Sequence, residues 1–404
     1  MALLVMVGGR MLALLLGFAY PIGANDVVNY VAYGEALAFH GENPLAVPLA
    51  EIDGLAFGRY SGYRSEPSHY GPLWTWVSAG LVRMMGTGSL AANLLAFKGL
   101  AILAYGAQAV LIYAILRRKK PALAVAGVLA FAWNPLVLYE FAVNGHNDAV
   151  MMALALLGIF FWDRGRPFLM VLALTLSMLI KIPGALLLPL FLVASAREQG
   201  SRRSRWTTLL GGGLMALGLA GLAYLSLPQG FEAVLKLVSR SDLFTHSLPA
   251  LANLALQLTG MDQVTAQNLT KALALAVLGA WYALQLARTW RAPASVLGHS
   301  YAVILFLLLL ATPWFQPWYV TWLVALASLY PHPAAPAQAG LFSSTALTSY
   351  LVYGFVWLWY ARIGNWGKTL GVTLVAVGTT YLVPWAYTVW LWLRRKDGPA
   401  AVSS

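Results

Sequence analysis

Asn25-Asp26-Val27-Val28-Asn29-Tyr30 opens the one long stretch of this chain that cannot rest in hydrocarbon, and Ser68-His69-Tyr70-Gly71-Pro72-Leu73-Trp74 lies near its close. Between residues 25 and 91 it gathers acids, bases and hydroxyls that the surrounding sequence mostly lacks. Around it the chain is greasy: 60% of its 404 residues are hydrophobic and only 10% are charged. A soluble domain carries about a quarter charged residues, so this composition belongs to an integral membrane protein. Cys is absent, which excludes disulfides and thiolate metal sites.

Apolar runs recur at residues 1–21, 93–116, 122–141, 149–162, 168–180, 184–196, 207–226, 269–287, 294–311, 318–330, 339–360 and 369–393. They predict an all-α polytopic membrane protein of about twelve transmembrane helices, forming one domain over residues 1–404. Met1 to Pro21, with Arg10 ahead of an apolar core, reads as an uncleaved start helix because further spans follow. Residues 72–85 are apolar but short and Trp-rich, and read as an interfacial helix within a large first extracytoplasmic loop, 25–91. A second outer segment, 228–268, carries Lys236, Arg240, Asp242 and His246 and is expected to hold short surface helices. The residues after Lys396 read as a frayed end.

The net charge of +12 is accounted for by position. With the N-terminus inside, the cytoplasmic set comprises Arg10, Arg117, Arg118, Lys119, Lys120, Arg164, Arg166 and Arg197, then Arg202, Arg203, Arg205, Arg288, Arg291, Arg394, Arg395 and Lys396. These are 16 of the 26 Lys and Arg, set against Asp163, Glu198 and Asp397. The ten other bases nearly balance eleven acids. Both termini are then cytoplasmic, and the basic excess is a positive-inside signal. Nucleic acid is not an expected partner; the lipid bilayer is. Treating 72–85 as a span would put Arg117 to Lys120 outside and break the pattern.

Several polar groups fall at outer helix ends. Asp26 follows the first helix and reads equally as an N-cap or as a catalytic carboxylate. Asn144-Gly145-His146-Asn147-Asp148 is a turn between two apolar helices. The helix after it, 149–162, spans roughly 21 Å of a roughly 30 Å hydrocarbon core, so the turn is expected to be recessed. Capping accounts for Asp148 but not for His146 and Asn147 beside it, and recessed ionisable groups are costly and usually functional. Lys181, on the next short hairpin, either snorkels to water or aims at a phosphate. In Thr312-Pro313-Trp314-Phe315-Gln316-Pro317-Trp318-Tyr319 the aromatics fit an interfacial belt, yet two prolines around Gln316 suit a shaped surface for a sugar face. His69 and Tyr70 are further phosphate candidates. Glu35, Glu42, Glu51, Asp53 and Glu66 read as loop solvation, and His299 and His332 fall inside without a role. No phosphate-binding glycine loop or dinucleotide fingerprint is present. His146 and Asp148 could touch a divalent ion but have no obvious further ligands, so no cofactor is indicated.

In order along the chain, Asp26 after the first helix, Gly41-Glu42-Asn43-Pro44, His69-Tyr70-Gly71-Pro72-Leu73-Trp74, Asn144 to Asp148, Lys181 and Pro317-Trp318-Tyr319 resemble the GT-C glycosyltransferases. Within that superfamily the chain is most similar to bacterial polyprenyl-phosphate-mannose-dependent mannosyltransferases. The resemblance implies a multi-pass plasma-membrane enzyme with its active site on the extracytoplasmic side. Its donor would be a polyprenyl-phosphate-linked sugar and its acceptor a glycan, lipid or protein hydroxyl. Asp26 would be the general base of an inverting transfer, and Asp148, His146 and Asn147 would assist it or bind the sugar. Lys181, His69 and Tyr70 would meet the leaving phosphate, and Gln316, Trp318 and Tyr319 would shape the donor pocket. The chain is compact for that superfamily, which would leave acceptor recognition to the two outer segments.

The competing class is a transporter or flippase of a lipid-linked sugar. Transporters place their polar site near the midplane on repeat-related broken helices, whereas here the polar groups crowd one face and no repeat is apparent. An outer-face glycan polymerase would rely on arginines in a later loop, for which Arg240 and Lys236 are a weak match.

Overall fold

The computed structural model describes residues 1–230, 232, 244–330, 334–352 and 370–396. Lys236, Arg240, Asp242, His332, the end of the 339–360 run and the tail after Lys396 lie outside the described residues. Helices make up the described chain; its only extended pairing is an isolated bridge between Thr245 and Trp314. The protein is an all-α membrane protein. Five described helices are long and apolar enough to cross a bilayer: Leu90–Lys119, Arg202–Leu225, Gln263–Arg291, Pro293–Ala311 and Leu370–Arg394. Shorter apolar helices of 10–17 residues accompany them, including Ala2–Gly17, Pro167–Ile180, Ile182–Arg197 and Pro317–Leu329. The run expected as one span at 122–141 is a broken pair, Pro121–Ala132 and Pro135–Val143, bent by 54°. Pro135 has no N–H to donate and its ring crowds the preceding turn, which breaks the helix there.

The chain divides into two compact units. The first comprises Met1–Trp133, Val137–Asp242 and Ala283–Ser300. Its helices include α1 (Ala2–Gly17), α2 (Asp26–His40), α3 (Pro72–Met85), α4 (Leu90–Lys119), α5 (Ala124–Ala132), α6 (Pro135–Leu138, its last residues in this unit), α7 (Asp148–Asp163), α8 (Pro167–Ile180) and α9 (Leu188–Arg197). The expected interfacial helix is α3, and the first loop adds a second helix, α2. The two pack closely: a Cβ at Gly34 would stand 2.4 Å from the Ser78 carbonyl oxygen, so a bare glycine sets their spacing. Pro72 starts α3 at the position where a missing N–H costs nothing.

The loop between α2 and α3 is held by buried polar side chains. Glu35 is buried and accepts hydrogen bonds from the backbone N–H groups of Ala56 and Phe57 at 2.6 and 2.9 Å. It therefore anchors the loop rather than solvating it, because a buried carboxylate needs such donors. Asn29 accepts from the Ser61 hydroxyl at 2.8 Å and the Gly62 N–H at 3.1 Å.

The second unit comprises Asn134–Leu136, Leu243–Tyr282 and Tyr301–Ser404. Helices Val320–Leu329, Ala334–Ala346 and Leu370–Lys396 carry its bulk. Phe315, Phe342 and Tyr381 meet with ring centroids 5.2 to 5.7 Å apart. Helix Leu248–Leu258 lies in the segment expected to hold surface helices.

Candidate active site

Neither Asp26 nor Asp148 sits at a cap position. Asn25 occupies the N-cap position of α2, but its side chain makes no cap bond and donates instead to the Tyr60 carbonyl at 3.0 Å. Asp26 is the first helical residue, and its Oδ1 accepts a hydrogen bond from the Tyr70 hydroxyl. Asn147 likewise precedes α7 without a cap bond. Asp148, fully buried at the first turn, receives the Lys181 ammonium at 3.1 Å on Oδ1 and 2.9 Å on Oδ2. Lys181 also stands 5.9 Å from the centroid of the Tyr70 ring, within cation–π range. Asp26, Tyr70, Lys181 and Asp148 thus form one continuous chain of contacts.

Local backbone geometry produces this convergence. Gly71 donates its N–H to the Ile180 carbonyl at 2.9 Å. A Cβ on Gly71 would stand 2.0 Å from the Leu179 carbonyl oxygen. Only a glycine lets the loop strand touch the end of α8, and that contact sets Tyr70 beside Lys181. Tyr30, one turn after Asp26 and therefore on the same face of α2, packs edge-on to Tyr70 at 4.9 Å and to Trp74 at 5.0 Å. Its hydroxyl donates to Asn147 Oδ1 at 3.2 Å. Gly145 has φ +70°, the left-handed region that favours glycine. It turns the chain from the π-helical turn Tyr139–Val143 into α7.

A second buried cluster adjoins the first. Glu140, fully buried, accepts from the Asn144 amide at 2.8 Å and lies 3.3 Å from His146 Nε2. Asn144 in turn accepts from the Gly23 N–H at 3.2 Å, tying the segment between α1 and α2 to the turn. The Asp26 and Asp148 carboxylates both act electrostatically on the Tyr30 hydroxyl and on the His146 ring. Burial, then the neighbouring Asp26 carboxylate, holds the Tyr70 phenol well above its ordinary pKa, so it stays a hydrogen-bond donor. The Asn147 Nδ2 is buried and finds no protein partner among the described residues, which leaves it a donor for a bound hydroxyl. Among the described residues no three His, Asp or Glu side chains gather closely enough to hold a metal ion.

This constellation lies within the part of the chain that matches a known family. Residues 10–197 match the family described as alpha-(1->6)-mannopyranosyltransferase, N-terminal domain. An alpha-(1->6)-mannopyranosyltransferase of Mycobacterium tuberculosis is 28% identical over 157 residues, covering 36% of this chain and 25% of that protein. A "Probable alpha-(1->6)-mannopyranosyltransferase" of Mycolicibacterium smegmatis is 25% identical over 389 residues, covering 81% of this chain and 66% of that protein. The chain is similar to mannosyltransferases over this part of its length. It spans a quarter and just under two thirds of the lengths of these two relatives.

Of the expected site residues, Asp26, Tyr70, His146, Asn147, Asp148 and Lys181 come together in the first unit. His69 is held within the loop, 3.4 Å from Glu66 and edge-on to Tyr63. Gln316, Trp318 and Tyr319 belong to the second unit. There Gln316 and Trp318 are buried, and Tyr319 stacks on Trp322 at 4.6 Å. The Thr312–Tyr319 segment is fixed by its neighbours, with Thr245 donating to the Pro313 carbonyl and Phe315 donating back to the Thr245 carbonyl.

Sequence reasoning passed over Tyr30, Glu140 and Lys98. Lys98 is buried, and its ammonium donates to the Ala19 carbonyl at the end of α1. Glu140 and Lys98 both stand inside apolar runs, where an ionisable side chain is a signal in its own right. Tyr30 was detectable only by its helical register with Asp26.

Proposed function

We propose that the chain transfers a mannosyl group from a polyprenyl-phosphate donor to an acceptor hydroxyl at the extracytoplasmic face of the plasma membrane. The observation that carries this reading is the continuous chain from Asp26 through Tyr70 and Lys181 to Asp148, within the segment similar to mannosyltransferases. Asp26 is half-buried, and its Oδ2 makes no hydrogen bond among the described residues. Tyr70 fixes the orientation of the carboxylate through Oδ1, leaving Oδ2 to take a proton.

The acceptor O–H gives its proton to Asp26 while its oxygen bonds to the anomeric carbon. The bond from that carbon to the phosphate oxygen breaks, and its electron pair leaves on the polyprenyl phosphate. Lys181 stabilises this developing charge as an oriented cation, with Asp148 holding its ammonium in place. Attack opposite the leaving group inverts the anomeric centre, so an α product of the kind named for the relatives requires a β-linked donor. Asn147 and His146 bind the sugar, and Glu140 orients His146. His69 is a second phosphate ligand. In this reading the chain crosses the membrane about twelve times, with both termini cytoplasmic.

The test is transfer from radiolabelled polyprenyl-phosphate mannose to added mannoside acceptors by purified protein in detergent. Labelled product that depends on Lys181, with about tenfold or greater loss in Lys181→Ala, supports the reading. Donor turnover that is unaffected in Lys181→Ala and His69→Ala removes the phosphate assignment.

A further inference from the structure

The end of α7 away from Asp148 carries a separate basic site. Asp163, the last residue of α7, lies 3.4 Å from Arg118 Nε and 3.3 Å from Lys119 Nζ. This binds the last turn of α4 to α7. Beside the junction, Tyr113, Ala114, Arg117, Arg118 and Arg164 line a cleft of about 460 Å³. Arg117 stands over the Tyr113 ring at 6.0 Å and Arg164 over the Phe160 ring at 4.2 Å. Neither guanidinium makes an ion pair among the described residues. Arg117, Arg118, Lys119 and Arg164 outnumber the two carboxylates of this region, Asp163 and Glu198, the latter interacting with Lys119, and the cleft carries a surplus of positive charge.

Its depth and its walls indicate what fills it. At 30 residues, α4 is roughly 45 Å long, the thickness of a bilayer with its headgroups, so its last turn reaches headgroup depth. The outward face of α4 is apolar at Leu103, Ala107, Val110 and Ala114 and ends at Arg117, all on one helical stripe. A half-exposed stripe of α7, through Leu157 and Phe160, ends at Arg164 in the same way. Apolar tracks leading to a guanidinium-lined cleft match acyl chains joined to a phosphate, and arginine forks suit phosphate oxygens. We infer that this cleft binds the phosphodiester headgroup of an anionic phospholipid, in the leaflet opposite the Asp26–Tyr70 cluster. The site is distinct from the donor site and does not depend on the proposed transferase activity.

The full chain is reconstituted in nanodiscs of phosphatidylcholine with or without phosphatidylglycerol, and bound lipid is counted by native mass spectrometry after transfer to detergent. Wild type retains phosphatidylglycerol and releases phosphatidylcholine, and Arg117→Gln/Arg164→Gln retains about tenfold less phosphatidylglycerol. Ala114→Trp, which keeps every cation but fills the cleft, shows the same loss and covers the case in which the double variant does not fold. Arg203→Gln/Arg205→Gln, with the same charge change elsewhere, retains lipid as wild type does. The inference is overturned by undiminished retention in both cleft variants, by equal loss in the Arg203/Arg205 control, or by equal retention of phosphatidylcholine. Displacement of the lipid by excess inorganic phosphate alone would assign the cleft to free phosphate and overturn the lipid assignment.

Discussion

The ammonium of Lys181 rests 2.9 Å from one carboxylate oxygen of Asp148 and 3.1 Å from the other. The Asp148 side chain is fully buried and that of Lys181 nearly so. Removing one member of such a pair strands the other charge in a low-dielectric site, at a cost of about 3–5 kcal/mol. Lys181→Met and Asp148→Asn are each expected to lower thermal stability. The double variant should lose less than the two single losses combined. Thermal unfolding of the three proteins in detergent checks this, and strictly additive losses would show that the two groups do not interact.

Gly71 gives a prediction about backbone approach. A methyl group there would meet the Leu179 carbonyl oxygen at 2.0 Å, a distance no side chain can accept. Gly71→Ala must push the loop off α8 and take Tyr70 away from Lys181. Transfer activity is expected to fall by about 10²-fold, of the order expected from roughly 1 Å misplacement near a reacting centre, while far-UV circular dichroism stays that of wild type. Activity close to wild type would mean that the contact with α8 does not position Tyr70.

Much of this arrangement could be read from the chain before any coordinates. Asp26, the Asn144 to Asp148 turn and Lys181 stood out because polar groups at the ends of short apolar helices have few inexpensive explanations. Their partners were harder to see. That Lys181 would turn to Asp148 depends on where α7 and α8 meet, which no spacing along the chain encodes. Glu35 was misread as loop solvation because nothing local announces that residues 56 and 57 fold back to give it two N–H donors. The break at Pro135 was written in the sequence, but a hydropathy window averages across it. The role of Gly71 is a matter of tertiary closeness and has no signature in its ordinary φ.

The Tyr70 phenol gives a prediction in pH. Its pKa is raised by burial and by the Asp26 carboxylate, so the neutral form persists above the ordinary tyrosine range, near 10. A raised pKa in the folded state means that folding favours the protonated phenol. The associated stability is present below the unfolded value and is lost as pH climbs through the folded one. The difference in tyrosinate absorbance between wild type and Tyr70→Phe should therefore stay flat up to about pH 10. A step in that difference between pH 9 and 10 would contradict the burial and charge argument.

Tyr70→Phe also separates the hydroxyl from the ring. The variant keeps the edge contact with Tyr30 and the face beneath Lys181 but loses the bond to Asp26 Oδ1. The expected result is a drop in kcat of about tenfold, in line with a lost hydrogen bond to a charged group, with little change in KM for the donor. A change confined to KM would place the hydroxyl on the substrate rather than on the base.

The central claim is that Asp26 takes the acceptor proton. Asp26→Asn keeps an oxygen to accept from Tyr70, so the fold and the donor site should survive, while the proton has nowhere to go. Transfer from labelled polyprenyl-phosphate mannose by this variant is predicted to fall by about 10³-fold, within the usual range for a lost general base, with donor binding unchanged. Full transfer by Asp26→Asn would contradict the account.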